Sequence, residues 1–164
     1  MNNGAIDLRA DGLPTVLLVE DSVDDVLLVR RALNKAGLAV RLEVAADGDA
    51  ALACLGADTS GRERLAPDLI LLDLKLPRRS GLDVLRWIRS RAELAATPVV
   101  VLTSSAEHED IQGAYAAGAN SYLQKPVAFQ GLVQLLAALD LYWFRHNLSA
   151  PPFPAPHSHD RSTT

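Results

Sequence analysis

Three short stretches of the chain are apolar without interruption: Val16-Leu17-Leu18-Val19, Leu69-Ile70-Leu71-Leu72 and Val99-Val100-Val101-Leu102. Runs of this length fit strands covered on both faces, as in a parallel sheet. Val40-Arg41-Leu42-Glu43-Val44 alternates instead, which leaves one face wet and predicts an edge strand. Ser121-Tyr122-Leu123-Gln124 is a fifth, less apolar candidate. Helical patterns lie between these runs. Ser22 is placed to cap a helix running to Lys35. Asp24 and Asp25 fall in its first turn, where carboxylates complement the helix dipole, and Gly37 follows its end. Further helices are predicted over Asp49–Leu55, Leu82–Arg89, Glu107–Ala117 and Phe129–Arg145. Strand and helix alternate five times, which predicts an α/β domain with a parallel sheet and helices on both faces.

The ends differ from the middle. Residues 1–13 read as a flexible arm, 14–148 as the folded domain and 149–164 as a Pro-rich tail, with four of the nine prolines inside Pro151–Pro156. The longest internal connection, Ala57–Pro67, is polar and contains Gly61. A chain of 164 residues, 49% hydrophobic and 22% charged, suits one domain with a sizeable core. A net charge of −4 argues against a nucleic-acid partner. Cys54 is the single cysteine, so neither a disulfide framework nor a multi-cysteine metal site is available, and a reducing, cytoplasmic setting is expected. There is no secretory pattern at Met1 to Leu13 and no run of 18 apolar residues, so no membrane association is expected.

In an open α/β sheet the binding crevice lies outside the carboxyl ends of the strands. Glu20 and Asp21 follow the first apolar run, Asp73 the second, Thr103, Ser104 and Ser105 the third, and Lys125-Pro126 the last strand. Carboxylates brought together repel one another, and a divalent cation relieves that repulsion; hard oxygen ligands select magnesium or calcium. With a lysine and a threonine hydroxyl beside them, the group suits a phosphoryl ligand, and a carboxylate can itself be the nucleophile. Taken one at a time, each of these residues is better explained as a solvated loop or a helix cap; it is the conjunction that points to a site.

Val-Glu20-Asp21-Ser, Leu-Leu-Asp73-Leu-Lys-Leu-Pro77, Val-Leu-Thr103-Ser-Ser and Tyr122-Leu-Gln-Lys125-Pro126 together resemble the four signatures of response-regulator receiver domains, in order and in place, over Pro14 to Leu148. The resemblance implies a flavodoxin-like, doubly wound sheet of five parallel strands in the order 2-1-3-4-5 with five helices. It implies Asp73 as phosphoacceptor from a phosphohistidine of a sensor histidine kinase. Mg2+ would be held by Asp21, Asp73 and the backbone carbonyl of Lys75, and by Glu20 through water. Thr103 and Lys125 would hold the phosphoryl oxygens, and Tyr122 would act with Thr103 in switching. The Lys125–Pro126 bond is expected to be cis. Lys75 and Ser105 occupy the two positions that tune water attack on the acyl phosphate in the family; the Lys75 side chain equally fits a solvent-facing position. Arg78 and Arg79 read as a solvated loop, or as contacts to a kinase or the phosphate.

Two rival functions are weaker. A phosphatase with an aspartyl-phosphate intermediate would use a second aspartate two residues on, where Lys75 stands. A phosphorylation-independent interaction module would not require Asp21, Asp73, Thr103 and Lys125 to be intact. Glu107-His108-Glu109-Asp110 opens a helix, where acids are expected without a metal.

From Leu132 to Phe144 only Gln134 and Asp140 are polar, so the last helix is apolar nearly all round. That implies a second buried face, and the readings set against each other are a protein interface and packing over the chain's own domain. We expect Leu136, Trp143 and Phe144 at an interface, with a two-fold homodimer as the assembly. An aromatic extension followed by a Pro-rich tail also resembles the receivers paired with phytochrome kinases, which implies a phytochrome as the donor.

Overall fold

The computed structural model describes residues 12–57 and 64–151. The N-terminal arm up to residue 11, the middle of the long connection and the Pro-rich tail from residue 152 lie outside the described residues. The sheet contains β1 (Thr15–Val19), β2 (Arg41–Ala45), β3 (Leu69–Leu72), β4 (Val99–Thr103) and β5 (Ser121–Gln124). All are parallel, in the order β2-β1-β3-β4-β5. The α-helices among the described residues are α1 (Val23–Lys35), α2 (Gly48–Leu52), α3 (Gly81–Ser90), α4 (His108–Ala116) and α5 (Phe129–Asp140).

The apolar runs explain the layering. Successive side chains of a strand point to opposite faces. Leu17, Val19, Ile70, Leu72 and Val99 therefore meet Val84, Leu85 and Ile88 of α3 and Ala51 and Leu52 of α2. Val16, Leu18, Leu69, Leu71 and Val100 face the other way, onto Val29, Ala32 and Leu33 of α1 and Leu132, Val133 and Leu136 of α5. β1, β3 and β4 are buried throughout, whereas β2 alternates, as an edge strand should.

Side-chain caps set the starts of α1, α2 and α3. Ser22 accepts from Asp25 N, Asp47 from Ala50 N and Ser80 from Asp83 N. Asp47, not Asp49, opens the second helix. Beyond α2 the chain makes a wide turn, Ala53–Ala57, broken at Gly56 with φ 103°.

The last helix departs from expectation. Its α-helical part ends at Asp140, and Leu141–His146 winds more widely, as a π-helix. Asn147 N donates to Tyr142 O at 2.7 Å, the five-residue backbone bond of a π turn, and Arg145 Nε pairs with the Asp140 side chain at 2.8 Å across the same segment. Leu136 is 3% exposed and belongs to the domain's own core, so the interface assignment is corrected there. Trp143 and Phe144 are half-buried against the same core. The exposed apolar residues of this segment are Leu141 (51%) and Tyr142 (57%), which the wider winding turns outward. The Lys125–Pro126 bond is trans, against the expected cis form, as are all peptide bonds among the described residues; trans is the lower-energy state of an X–Pro bond by about 0.5–1 kcal/mol.

Candidate functional site

Backbone bonds between neighbouring strands carry the ladder one residue past the strands and so align the rim. Glu20 N donates to Ala45 O at 3.0 Å, Asp73 N to Val19 O at 3.1 Å and Lys125 N to Thr103 O at 2.8 Å. Those three residues are thereby fixed at the carboxyl ends of β1, β3 and β5.

Their side chains converge. Lys125 Nζ donates to Glu20 Oε2 at 2.5 Å, to Asp25 Oδ2 at 2.8 Å and to Asp73 Oδ2 at 2.9 Å. Glu20 (3% exposed) and Asp73 (7%) are buried, and Asp21 is exposed beside them. Carboxylate oxygens of Glu20, Asp21 and Asp73 lie within 4.8 Å of one another. Three hard oxygen donors at this spacing fit a magnesium ion. Burial pushes the Glu20 carboxyl above its ordinary range, against the lowering effect of Lys125 and Ser22 N. Burial alone would lower the Lys125 ammonium, but its three carboxylate partners outweigh that and raise it.

The loop after Asp73 wraps its carboxylate. Asp73 Oδ1 accepts from Lys75 N at 3.1 Å, and the Lys75 side chain is exposed. Arg78 sits at φ 63°, in the left-handed region. Its guanidinium pairs with Asp47, and Arg79 Nε pairs with Asp49 Oδ1 at 2.8 Å. Both arginines thus clasp the start of α2. Gly81 closes the loop: a Cβ there would lie 2.2 Å from the Asp73 carbonyl oxygen and 2.6 Å from Leu74 Cα. Only glycine permits this approach.

Thr103 is buried at the end of β4, and its Oγ1 accepts from Ser105 N over a long 3.5 Å. Ser105 is buried too. Its hydroxyl donates to Asp110 Oδ2 at 2.6 Å and accepts from Glu107 N at 3.3 Å, tying the β4–α4 loop to the first turn of α4. Tyr122 packs inward with Leu74, Val101 and Ala114, and its hydroxyl donates to Ser105 O at 3.0 Å. Burial raises its phenol above the ordinary value. On the edge strand, Tyr122 N donates to the Tyr115 hydroxyl at 3.2 Å.

The structure thus brings Glu20, Asp21, Asp73 and Lys125 together, with Thr103, Ser105 and Tyr122 linked along β4 and β5. Leu136, Trp143 and Phe144 belong to the core side of α5 and its extension. Asp25 was missed as a site residue because a first-turn acid is already explained by the helix dipole. Its place three residues after the cap, where a side chain leans back over the helix start, was the available signal.

Comparison with known proteins agrees with this geometry. A family model described as "Response regulator receiver domain" matches residues 16–137. The chain is 39% identical over 145 residues to the probable methanogenesis regulatory protein FilR2 of Methanothrix harundinacea, covering 88% of this chain and 93% of that one. It is 36% identical over 128 residues to the response regulator Rcp1 of Synechocystis, covering 78% and 87%. Among solved structures, the phosphorylated cyanobacterial phytochrome response regulator RcpA superposes with a TM-score of 0.77 at 32% identity, over 85% of this chain and 99% of that one. The bacteriophytochrome response regulator RtBRR does so at 0.67 and 42% identity, over 85% and 84%. With its parallel 2-1-3-4-5 sheet, its acidic rim and these relatives, the chain belongs to the response-regulator receiver-domain family and is related to the phytochrome response regulators.

Proposed function

We propose that the protein accepts a phosphoryl group from a phosphohistidine of a sensor kinase onto Asp73. The observation that carries this is one buried carboxylate, Asp73, hydrogen-bonded by both Lys125 Nζ and Lys75 N at a rim shared with Glu20 and Asp21. An Asp73 oxygen attacks phosphorus, the P–N bond breaks with its electron pair passing to the imidazole nitrogen, and the ring leaves as neutral imidazole because its other nitrogen carries a proton. Magnesium would be held by Asp21, Asp73 and the Lys75 carbonyl, and by Glu20 through water, and would supply positive charge against the phosphoryl oxygens. Lys125 and the Thr103 hydroxyl hold those oxygens, and Lys75 and Ser105 flank the path of attacking water.

Switching is a shift of population. The phosphoryl group draws Thr103, and Tyr122 with its bond to Ser105 O reports the change to the α4–β5 face. Donor docking uses the exposed Val23 and Leu27, one turn apart on α1, and Val127 after β5, all close in sequence to the Asp25–Lys125 pair. The phytochrome response regulators among the relatives support a phytochrome-type kinase as donor. Leu141 and Tyr142 are the surface of a homodimer, which ultracentrifugation tests: a chain monomeric at high micromolar concentration removes it.

The deciding experiment is incubation with acetyl phosphate and magnesium. We expect one hydroxylamine-sensitive phosphoryl group, absent in Asp73→Asn and absent without the metal. Undiminished labelling of Asp73→Asn rejects the assignment. A wild type that never labels favours a phosphorylation-independent interaction module.

A further inference from the structure

We infer that Asp25 is a positioning residue for Lys125: it holds the ammonium beside the acceptor when a divalent cation engages Glu20 and Asp73. This rests on the phosphoacceptor reading above and deepens it.

The argument begins at the start of α1. Ser22-Val-Asp-Asp25 has the spacing of a capping box, in which the residue three after the cap reaches back to the cap's own N–H. Half of that arrangement is present, since Ser22 Oγ accepts from Asp25 N at 3.2 Å. The other half is replaced, because Ser22 N donates to Glu20 Oε1 at 3.0 Å. Glu20 therefore does the capping work that Asp25 would do, and the Asp25 carboxylate turns to Lys125, 100 residues away in sequence.

Lys125 Nζ has three donors, and they meet three carboxylates: Glu20, Asp25 and Asp73. Two of those, Glu20 and Asp73, also belong to the set of oxygens that can hold a cation together with Asp21. Asp25 does not belong to it. A metal and the ammonium thus compete for Glu20 and Asp73, while Asp25 remains to the ammonium alone. Without Asp25, a lysine displaced by a dication would meet like charge and have no anionic partner left in reach, and it would swing to solvent. With Asp25, it stays within hydrogen-bonding distance of the carboxylate that takes the phosphoryl group. The Asp25 side chain is 36% exposed and sits on the helix rather than under the rim, so it can follow the ammonium without opening the core.

The test uses the full chain and Mn2+ as the probe, with affinity measured by calorimetry. Asp25→Asn should bind Mn2+ about tenfold more weakly, the low end of what groups that orient a metal site contribute. Asp25→Glu should restore most of the loss. The critical arm is Lys125→Met: in that background Asp25→Asn should change Mn2+ affinity by less than about twofold, because nothing remains for Asp25 to hold. As a second readout, the Lys125 Nζ resonance with Mg2+ bound should stay sharp in wild type and broaden by solvent exchange in Asp25→Asn. Equal losses with and without Lys125 would mean that Asp25 acts only through its negative field and would overturn the inference. So would an Asp25→Asn protein that binds Mn2+ like wild type. A wild type that neither binds Mn2+ nor labels on Asp73 rejects the phosphoacceptor reading itself, and the role of Asp25 falls with it.

Discussion

At the amino-terminal ends of β4 and β5, the Arg89 guanidinium donates to the carbonyls of Gly118 and Thr97 at 2.9 Å and to Asn120 Oδ1 at 2.8 Å. Asn120 Oδ1 in turn accepts from Val99 N at 2.8 Å. At the opposite ends of the strands, a single ammonium, Lys125, faces the carboxylates of Glu20, Asp25 and Asp73, with Asp21 beside them. Both ends place one long cationic side chain among oxygens. Arg89 meets neutral carbonyls and amides, which need donors and carry no net charge. Lys125 meets an excess of anions, which one cation cannot neutralise. The first arrangement closes the fold; the second leaves a site that gains from a further cation.

That contrast can be broken by substitution. Gly81→Ala should act most strongly, because its Cβ meets backbone atoms of Asp73 and Leu74 that cannot yield. We expect a loss of about 3 kcal/mol or more in urea unfolding, with phosphorylation lost as Asp73 is displaced. Lys125→Met should cost about 2–3 kcal/mol without metal, since it leaves Glu20 and Asp73 buried beside each other, and millimolar Mg2+ should recover most of that. Arg89→Met should cost about 2 kcal/mol through unsatisfied carbonyls, and Mg2+ should recover none of it. Equal rescue of the two variants would erase the distinction between the ends.

The pH dependence sharpens it further. The Lys125 ammonium is raised above its ordinary value of 10.5, so its contribution is fully present below 10.5 and is lost as pH rises through the higher folded value. The metal-free stability difference between wild type and Lys125→Met should hold from neutral pH to about 10.5 and shrink above it. A difference that collapses well below that point would contradict the assignment. The smallest effect is expected for Tyr115→Phe, which removes the bond to Tyr122 N. It should cost about 0.5–1 kcal/mol, with faster hydrogen exchange at that amide.

The central strands were legible because complete burial leaves an uninterrupted apolar run, and Ser22 because its cap is a local event. The start of α2 was not, because Asp47 and Asp49 are both acceptable openers and only the packing of Gly48 against Arg79, where a Cβ would lie 2.8 Å from the Arg79 carbonyl oxygen, selects the register. Apolar periodicity through Phe144 could not reveal that the helix widens after Asp140, since a π turn alters which residues face outward without altering composition. Leu136 precedes that widening and was misread for another reason: in a helix that is apolar nearly all round, composition does not say which side faces the sheet. At the site, Asp73 and Thr103 follow uninterrupted apolar runs and were visible from that position, and Lys125 from its place after the less apolar Ser121–Gln124 strand. Asp25, Arg78 and Arg79 were not, because their partners come from distant elements and the local sequence already accounts for each of them as a helix-dipole acid or a loop cation.

The bond between Tyr115 and the edge strand has a consequence for solubility. A border strand offers its unpaired amides to any passing extended chain, and strand-on-strand growth from such a border is a route to aggregation. β5 is one border of this sheet, and the Tyr115 phenol from α4 already occupies the Tyr122 N–H. An incoming strand would have to evict that hydroxyl before its first hydrogen bond at this position could form, so the tyrosine acts as a stopper against templated growth.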